Sequence, residues 1–169
     1  MAVKVRVEAV ASGVIILLIV LSGYSLSTLY QSLPKIVAVT CDIYGNPMYG
    51  LKSEILYGQV LPVFLTSAIL SLTFHSLSLK PKLFLSLFAS ILGKVGVNVD
   101  MCGRDVFYLL TVFSIYVVML GWWIGHTSLV SSSRDTPLYP SLILMWYLSG
   151  LSITFVSALA YFLMKSLGV

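Results

Sequence analysis

Four stretches of this 169-residue chain run for twenty residues or more without a charged side chain: Ala9 to Tyr30, Ile55 to Leu79, Val106 to Gly125 and Ser141 to Met164. A helix needs about 20 apolar residues to cross ~30 Å of hydrocarbon. Inside a bilayer only helices and closed barrels satisfy every backbone polar group, and runs this long and unbroken are helical rather than alternating. The chain therefore reads as an all-α, polytopic membrane bundle forming a single domain over residues 1–169.

Charge agrees with that reading. Only 9% of residues are charged, against about 25% in a soluble domain, and apart from Lys94 they all fall outside the apolar runs. Tyr30, Tyr57, Tyr108, Trp122, Trp123 and Tyr139 mark the edges of the runs, as interfacial aromatics do. The formal net charge of +4 does not point to nucleic acid, because the basic residues are dispersed as Lys4/Arg6, Lys80/Lys82 and single sites rather than gathered on one face. Met1 to Glu8 leads into a run longer than the roughly 7 to 15 residues of a signal-peptide core, so it reads as a retained first helix.

A fifth segment, Leu83 to Val99, divides the criteria. Leu83 to Leu92 is intensely apolar, whereas Lys94 and Asn98 interrupt its second half. With the N-terminus inside, four spans place seven Lys and Arg inside (Lys4, Arg6, Lys80, Lys82, Lys94, Arg104, Lys165) and three outside. Five spans leave the two sides nearly equal, so the positive-inside bias favours four. Hydropathy argues the other way: LFLSLFASIL offers only Ser86 and Ser90 as a polar face, too little for a helix lying on the membrane surface. Our reading is five spans (9–30, 55–79, 83–99, 106–125 and 141–164) with an outer loop at 31–54. The alternative is four spans with a re-entrant or interfacial helix at 83–99.

The parity of that segment sorts the rare residues. In the five-span arrangement Cys41 and Cys102 share the outer face, where they can close a disulfide that pins the outer loop. His75 and His126 then share the inner face. Two histidines at one depth are also the residue types of a haem pair, although both lie at span ends where imidazole reaches water.

The stretch CDIYGNPMYGLKSEILYGQVLP, Cys41 to Pro62, leads a cysteine loop through Tyr-Gly into the second span, and Cys102 opens a later one. In this it resembles the vitamin K epoxide reductase and DsbB type of membrane thiol oxidase. The resemblance implies a helical bundle with reactive outer cysteines beside a quinone. Such enzymes carry a Cys-x-x-Cys pair, whereas Val99 and Asp105 stand three residues either side of Cys102, and a relay needs a resolving thiol. Cys102, His126 and Arg104 or Arg134 also supply the residue types of an archaeosortase-like transpeptidase. A thiol nucleophile needs its base within hydrogen-bond reach, and Val106 to Gly125 separates Cys102 from His126 by a membrane thickness.

The four clear spans contain no Asp or Glu, the residues that proton-coupled carriers generally keep within the membrane. What the spans do carry is packing chemistry. Gly121 and Gly125 form a Gly-x-x-x-Gly step in GWWIG, and Gly150, Thr154 and Ala158 recur at i, i+4, i+8. Small-residue ladders let helix backbones approach closely, the main source of association in lipid.

In the outer loop, Pro34, Gly45, Asn46, Pro47 and Gly50 mark turns, and Ile36 to Val39 is suited to a short strand or to lying on the membrane. Tyr44, Tyr49 and Tyr57 read as interfacial anchors, or as the lining of a quinone or lipid site. Ser131 to Pro137 reads as a solvated loop.

The function expected on these grounds is that of a non-catalytic subunit of a larger membrane complex, of an energy-transducing or respiratory kind. It would sit in the cell membrane with a cytoplasmic N-terminus, and its partners would be the bilayer and other membrane subunits. A thiol-disulfide oxidoreductase using Cys41 and Cys102 with a quinone is the alternative, and a small oligomeric carrier or channel the next. No metal is expected, and no cofactor beyond contact with a quinone or lipid.

Overall fold

The computed structural model describes residues 2–93 and 103–166. Helix α1 spans Ala2–Ser32 and is followed by strands β1 (Ile36–Cys41) and β2 (Pro47–Leu51). The second long helix is built in three parts: α2 (Lys52–Ile55), a π-helical turn at Leu56–Val60, and α3 (Leu61–Ser78). Then come α4 (Pro81–Gly93), α5 (Gly103–Ser133) and α6 (Pro140–Ser166). Val7–Ser32, Lys52–Ser78 and Gly103–Ser133 are each long and apolar enough to cross a membrane, and Ser141–Ser157 within α6 is a shorter apolar stretch.

The first three of these form the core. α1 runs antiparallel to α3, with Gly23 against Phe64 and Ser12 against His75. α3 runs antiparallel to α5: Gly121 lies on Ser67, the Phe74 and Phe113 rings meet edge to face at 4.5 Å, and Gly103 lies on Pro81. α1 and α5 are consequently parallel, with Leu26 beside Gly125 and the Trp122 indole N–H donating to Ser25 Oγ at 3.3 Å.

This register decides where α4 sits. A Cβ on Gly103 would lie 3.3 Å from Pro81 Cγ, so the segment between them begins and finishes at one end of the α3/α5 pair. Phe84 and Leu85 of α4 pack at that same end against Val106 and Leu110 of α5 and Phe74 and Leu77 of α3. The fifth crossing expected at 83–99 has no support in this arrangement, because a single crossing would deliver Gly103 to the far end. Hydropathy reported that Leu83 to Leu92 is buried in something apolar. Of that run Phe84 and Leu85 pack into the mouth of the bundle, whereas Leu83 is half exposed.

α5 is longer than the 106–125 expected. Its hydroxyl residues satisfy themselves on the preceding turn (Thr127 to Trp123 C=O at 2.8 Å, Ser128 to Ile124 C=O at 3.0 Å), so nothing breaks the helix before Asp135 at φ 55° and Pro137. Ser131–Ser133, expected to lie in a loop, therefore complete the helix, and Ser132 is buried.

The π turn also has a local cause. Pro62 has no N–H to give the Gly58 carbonyl, and proline within a helix forces such a rearrangement. One result is that Gln59 turns inward, with its amide 3.5 Å from Val39 C=O.

At the opposite end the segment between α1 and α2, expected as an outer loop, folds as an antiparallel hairpin, Ile36 pairing with Leu51 and Cys41 with Pro47, with an irregularity between Ala38 and Thr40. Asp42 closes its turn: its carboxylate accepts the N–H groups of Tyr44 (2.8 Å) and Asn46 (2.9 Å) and the Asn46 amide (3.0 Å), while Gly45 takes φ +87°. Val37 of β1 joins Leu26, Leu33, Ile55, Val60 and Leu129 in a buried cluster, so the hairpin caps this end of the bundle.

Candidate functional site

Soluble helices bury apolar faces, but α3 does the reverse. Its buried residues are Ser67, Ser71, His75 and Ser78, while Leu61, Leu65, Ile69 and Leu72 face outward. The spacing i, i+4, i+8, i+11 puts the four polar residues on one stripe, and lipid outside makes the inversion stable. Small hydroxyl side chains also let α3 and α5 come close: a Cβ on Gly121 would collide with Ser67 Oγ, and one on Gly125 would lie 3.3 Å from Leu26 and Val60.

Along this stripe Ser67 shares a hydrogen bond with Tyr147 of α6 (2.9 Å). His75, 7% exposed, has both ring nitrogens engaged: Nε2 is 2.7 Å from Ser12 Oγ of α1, and Nδ1 is 3.3 Å from Ser78 Oγ. Between the two lies Ser71, fully buried, whose hydroxyl has no protein partner. The Thr111 hydroxyl is likewise buried and unpartnered. Stepping back from the Leu26/Gly125 contact by about four turns along both parallel helices brings Ser12 level with Thr111.

The other candidate residues are scattered. Cys41 ends β1 as a free thiol, with Sγ 3.7 Å from Pro137 C=O. Cys102 lies outside the described residues, but Gly103, covalently next to it, opens α5 at the end opposite the hairpin. The 31 residues of α5 cover roughly 46 Å, whereas a disulfide needs Cα atoms within about 7 Å.

The histidines separate for the same reason. His75 is level with the Phe113 region of α5, and His126, its ring 5.3 Å from that of Trp122, lies further along α5 by about four turns, roughly 20 Å. No single haem iron fits between them. The expectation that they share one face followed from counting Leu83 to Val99 as a crossing, which the Pro81/Gly103 contact does not support.

Gly150 lies on Leu120 of α5, where a Cβ would come 2.9 Å from the leucine, and Thr154 gives its hydroxyl to Gly150 C=O at 2.7 Å. Ala158 is in α6. Tyr44, Tyr49 and Tyr57 are all mainly exposed. Among the described residues no group of three or more His, Cys, Asp or Glu is placed to hold a metal ion.

Outside the bundle the hairpin is tied down at three points. The Tyr139 hydroxyl donates to Asp42 C=O at 3.0 Å, and Tyr49 hydrogen-bonds Asp135. Lys52 donates to the carbonyls of Tyr30 (3.1 Å) and Leu33 (2.9 Å), with its ammonium 4.7 Å from the centre of the Tyr30 ring. These are the last carbonyls of α1, so Lys52 supplies the cation that a helix C-terminus favours. The Tyr49 phenol is raised above its ordinary pKa by desolvation first and by the Asp135 charge second, and Asp42 is held below the usual carboxylate value, chiefly by the Asn46 amide.

Comparison with protein-family models, with curated proteins and with solved structures gives no significant match in any of the three.

Proposed function

We propose that this chain is an integral membrane subunit that crosses the bilayer four times and packs against partner helices of a larger assembly. The observation that carries this reading is the way α6 is docked. Ile143 and Tyr147 are buried against Ile124, and Gly150 meets Leu120. Beyond them Ile153, Phe155, Val156, Tyr161 and Met164 are all exposed, and at 100° per residue these positions fall on every side of the helix. The second half of α6 thus stands clear of its own bundle. Ridge-into-groove packing with another helix is the ordinary way such a face is completed in lipid.

The Pro81/Gly103 contact supports the four-crossing topology, and the charge bias favours a cytoplasmic side for α4 and the N-terminus. α4, with Lys80 and Lys82 at its head, then lies at the inner membrane surface. The cysteines are on opposite faces in this topology, which disfavours the thiol-oxidase alternative.

Purification in mild detergent followed by native mass spectrometry tests the reading. A stoichiometric partner is expected in the wild type and is lost on Val156→Arg in α6. It is retained on Val112→Leu, a conservative change at an equally exposed position of α5. A wild-type chain that runs alone would refute the subunit reading.

A further inference from the structure

The contacts between helices assign each described charge to one end of the bundle or the other. Ser12 of α1 meets His75 of α3 at 2.7 Å, and Pro81 lies on Gly103. Arg6 stands six residues, about 9 Å, before Ser12, and Lys80 five residues, about 7.5 Å, past His75. With Lys4, Lys82 and Arg104 they gather at the α4 end. α6 runs antiparallel to α5, with Trp146 beside Trp123 and Gly150 on Leu120, which brings Lys165 to the same end. The acidic residues there are Glu8 and Asp105, whereas at the hairpin end Lys35, Lys52 and Arg134 are matched by Asp42, Glu54 and Asp135. Among the described residues the α4 end thus holds six basic residues against two acidic, and the hairpin end three against three. The whole positive excess sits at one end.

Three of these cations, Lys80, Lys82 and Arg104, are exposed, and the chain brings their backbones together: Lys80 and Lys82 bracket Pro81, and Arg104 follows Gly103. Arg104, Tyr108 and Val112 recur at i, i+4, i+8 and are all exposed, as are Leu72, Ser76 and Lys80. Arg104 and Lys80 therefore each head an outward stripe of a membrane-spanning helix. Phe84 and Leu85 dock α4 into the bundle while Lys82 and Leu83 stay outside. From this arrangement we propose that Lys80, Lys82 and Arg104 bind the phosphate headgroup of an anionic phospholipid, whose acyl chains lie along the exposed faces of α3 and α5. Ammonium and guanidinium groups supply the charge-assisted donors that a phosphate takes, and the apolar stripes beneath them suit a lipid rather than a soluble anion. The site rests on the chain lying in a bilayer and is independent of whether α6 has a partner.

The test is native mass spectrometry of the full chain in detergent, titrated with equal amounts of phosphatidylglycerol and phosphatidylcholine carrying the same acyl chains. The first lipid retained is expected to be phosphatidylglycerol by about fivefold or more, since each basic residue at an anionic headgroup contributes about that factor. The ratio falls to near parity in Lys80→Gln/Lys82→Gln/Arg104→Gln and is kept in Lys35→Gln/Arg134→Gln at the hairpin end. Unchanged thermal melting identifies variants that fold. If the triple variant does not, Lys82→Gln alone, on the exposed side of α4, is expected to lower the ratio, and an unchanged ratio there overturns the proposal. Parity in the wild type overturns it as well, as does a preference that survives the triple change or is lost equally in the hairpin-end variant. Displacement of the retained lipid by inorganic phosphate would give the cluster to a soluble anion and overturn the assignment to lipid.

Discussion

Pro81 and Gly103 lie against one another, 3.3 Å from the pyrrolidine ring to where a glycine Cβ would stand, and this contact returns the chain to the end of the bundle it left. The same contact puts Gly103, the residue that follows Cys102 in the chain, at the end of α5 opposite Cys41. In sealed, right-side-out vesicles a membrane-impermeant maleimide is expected to label one cysteine at once and the other only after permeabilisation. Single Cys→Ser variants identify which is which. Simultaneous labelling of both in sealed vesicles would restore the fifth crossing.

Gly121 of α5 and Ser67 of α3 approach so closely that a Cβ on the glycine would collide with the serine. Gly121→Ala is expected to destabilise the fold by about 1–3 kcal/mol, the usual cost of overpacking, read as a lower melting temperature in detergent. Ser67→Gly on the same background removes the obstacle and recovers most of the loss, less the hydrogen bond to Tyr147. Absence of that recovery would mean that the clash is not the cause.

Lys52→Met keeps the length of the stem and removes the cation from the end of α1. Two carbonyls lose a charged donor, an effect of about 1.5–3 kcal/mol, and the amides in the last turn of α1 should exchange faster with solvent. Exchange unaffected there, with the hairpin intact, would show that Lys52 does not cap the helix.

The hairpin has a defined pH window. Asp42 is held below its ordinary value of 3.8, so its turn contributes stability above that value and loses it as pH falls through the lower folded value. Tyr49 is raised above 10.0, so its contribution is present below pH 10 and is lost as pH rises through the higher folded value. Tyrosinate absorbance should show Tyr49 titrating late in the wild type and earlier in Asp135→Asn, which removes the adjacent charge. An unchanged Tyr49 titration in that variant would remove Asp135 from the account.

The apolar runs were legible in the sequence because the penalty for charge in hydrocarbon acts on each segment alone. Helix 81–93 was not interpretable in that way: its parity depends on Pro81 meeting Gly103, a contact between separate segments. The π turn was foreshadowed only by Gly58 and Pro62. The Ser67, Ser71, His75 stripe was visible as a spacing, whereas Ser12, the partner that completes it, stands 63 residues away and carries no local signal. GWWIG was recognisable as packing chemistry, but not as the middle of a helix, because glycine next to tryptophan also marks a membrane boundary.

Lys52 has one more consequence. Its ammonium holds the end of α1 and its backbone N–H bonds Lys35 C=O at 3.0 Å, so the chain between the first two long helices is drawn together at its neck. What lies beyond the neck is free to lengthen, since added loop residues cost little once the ends are held. An epitope or fluorescent tag inserted between Gly45 and Asn46 would sacrifice the Asp42 turn and leave the helices in register. It would also report, on living cells, which face of the membrane the hairpin occupies.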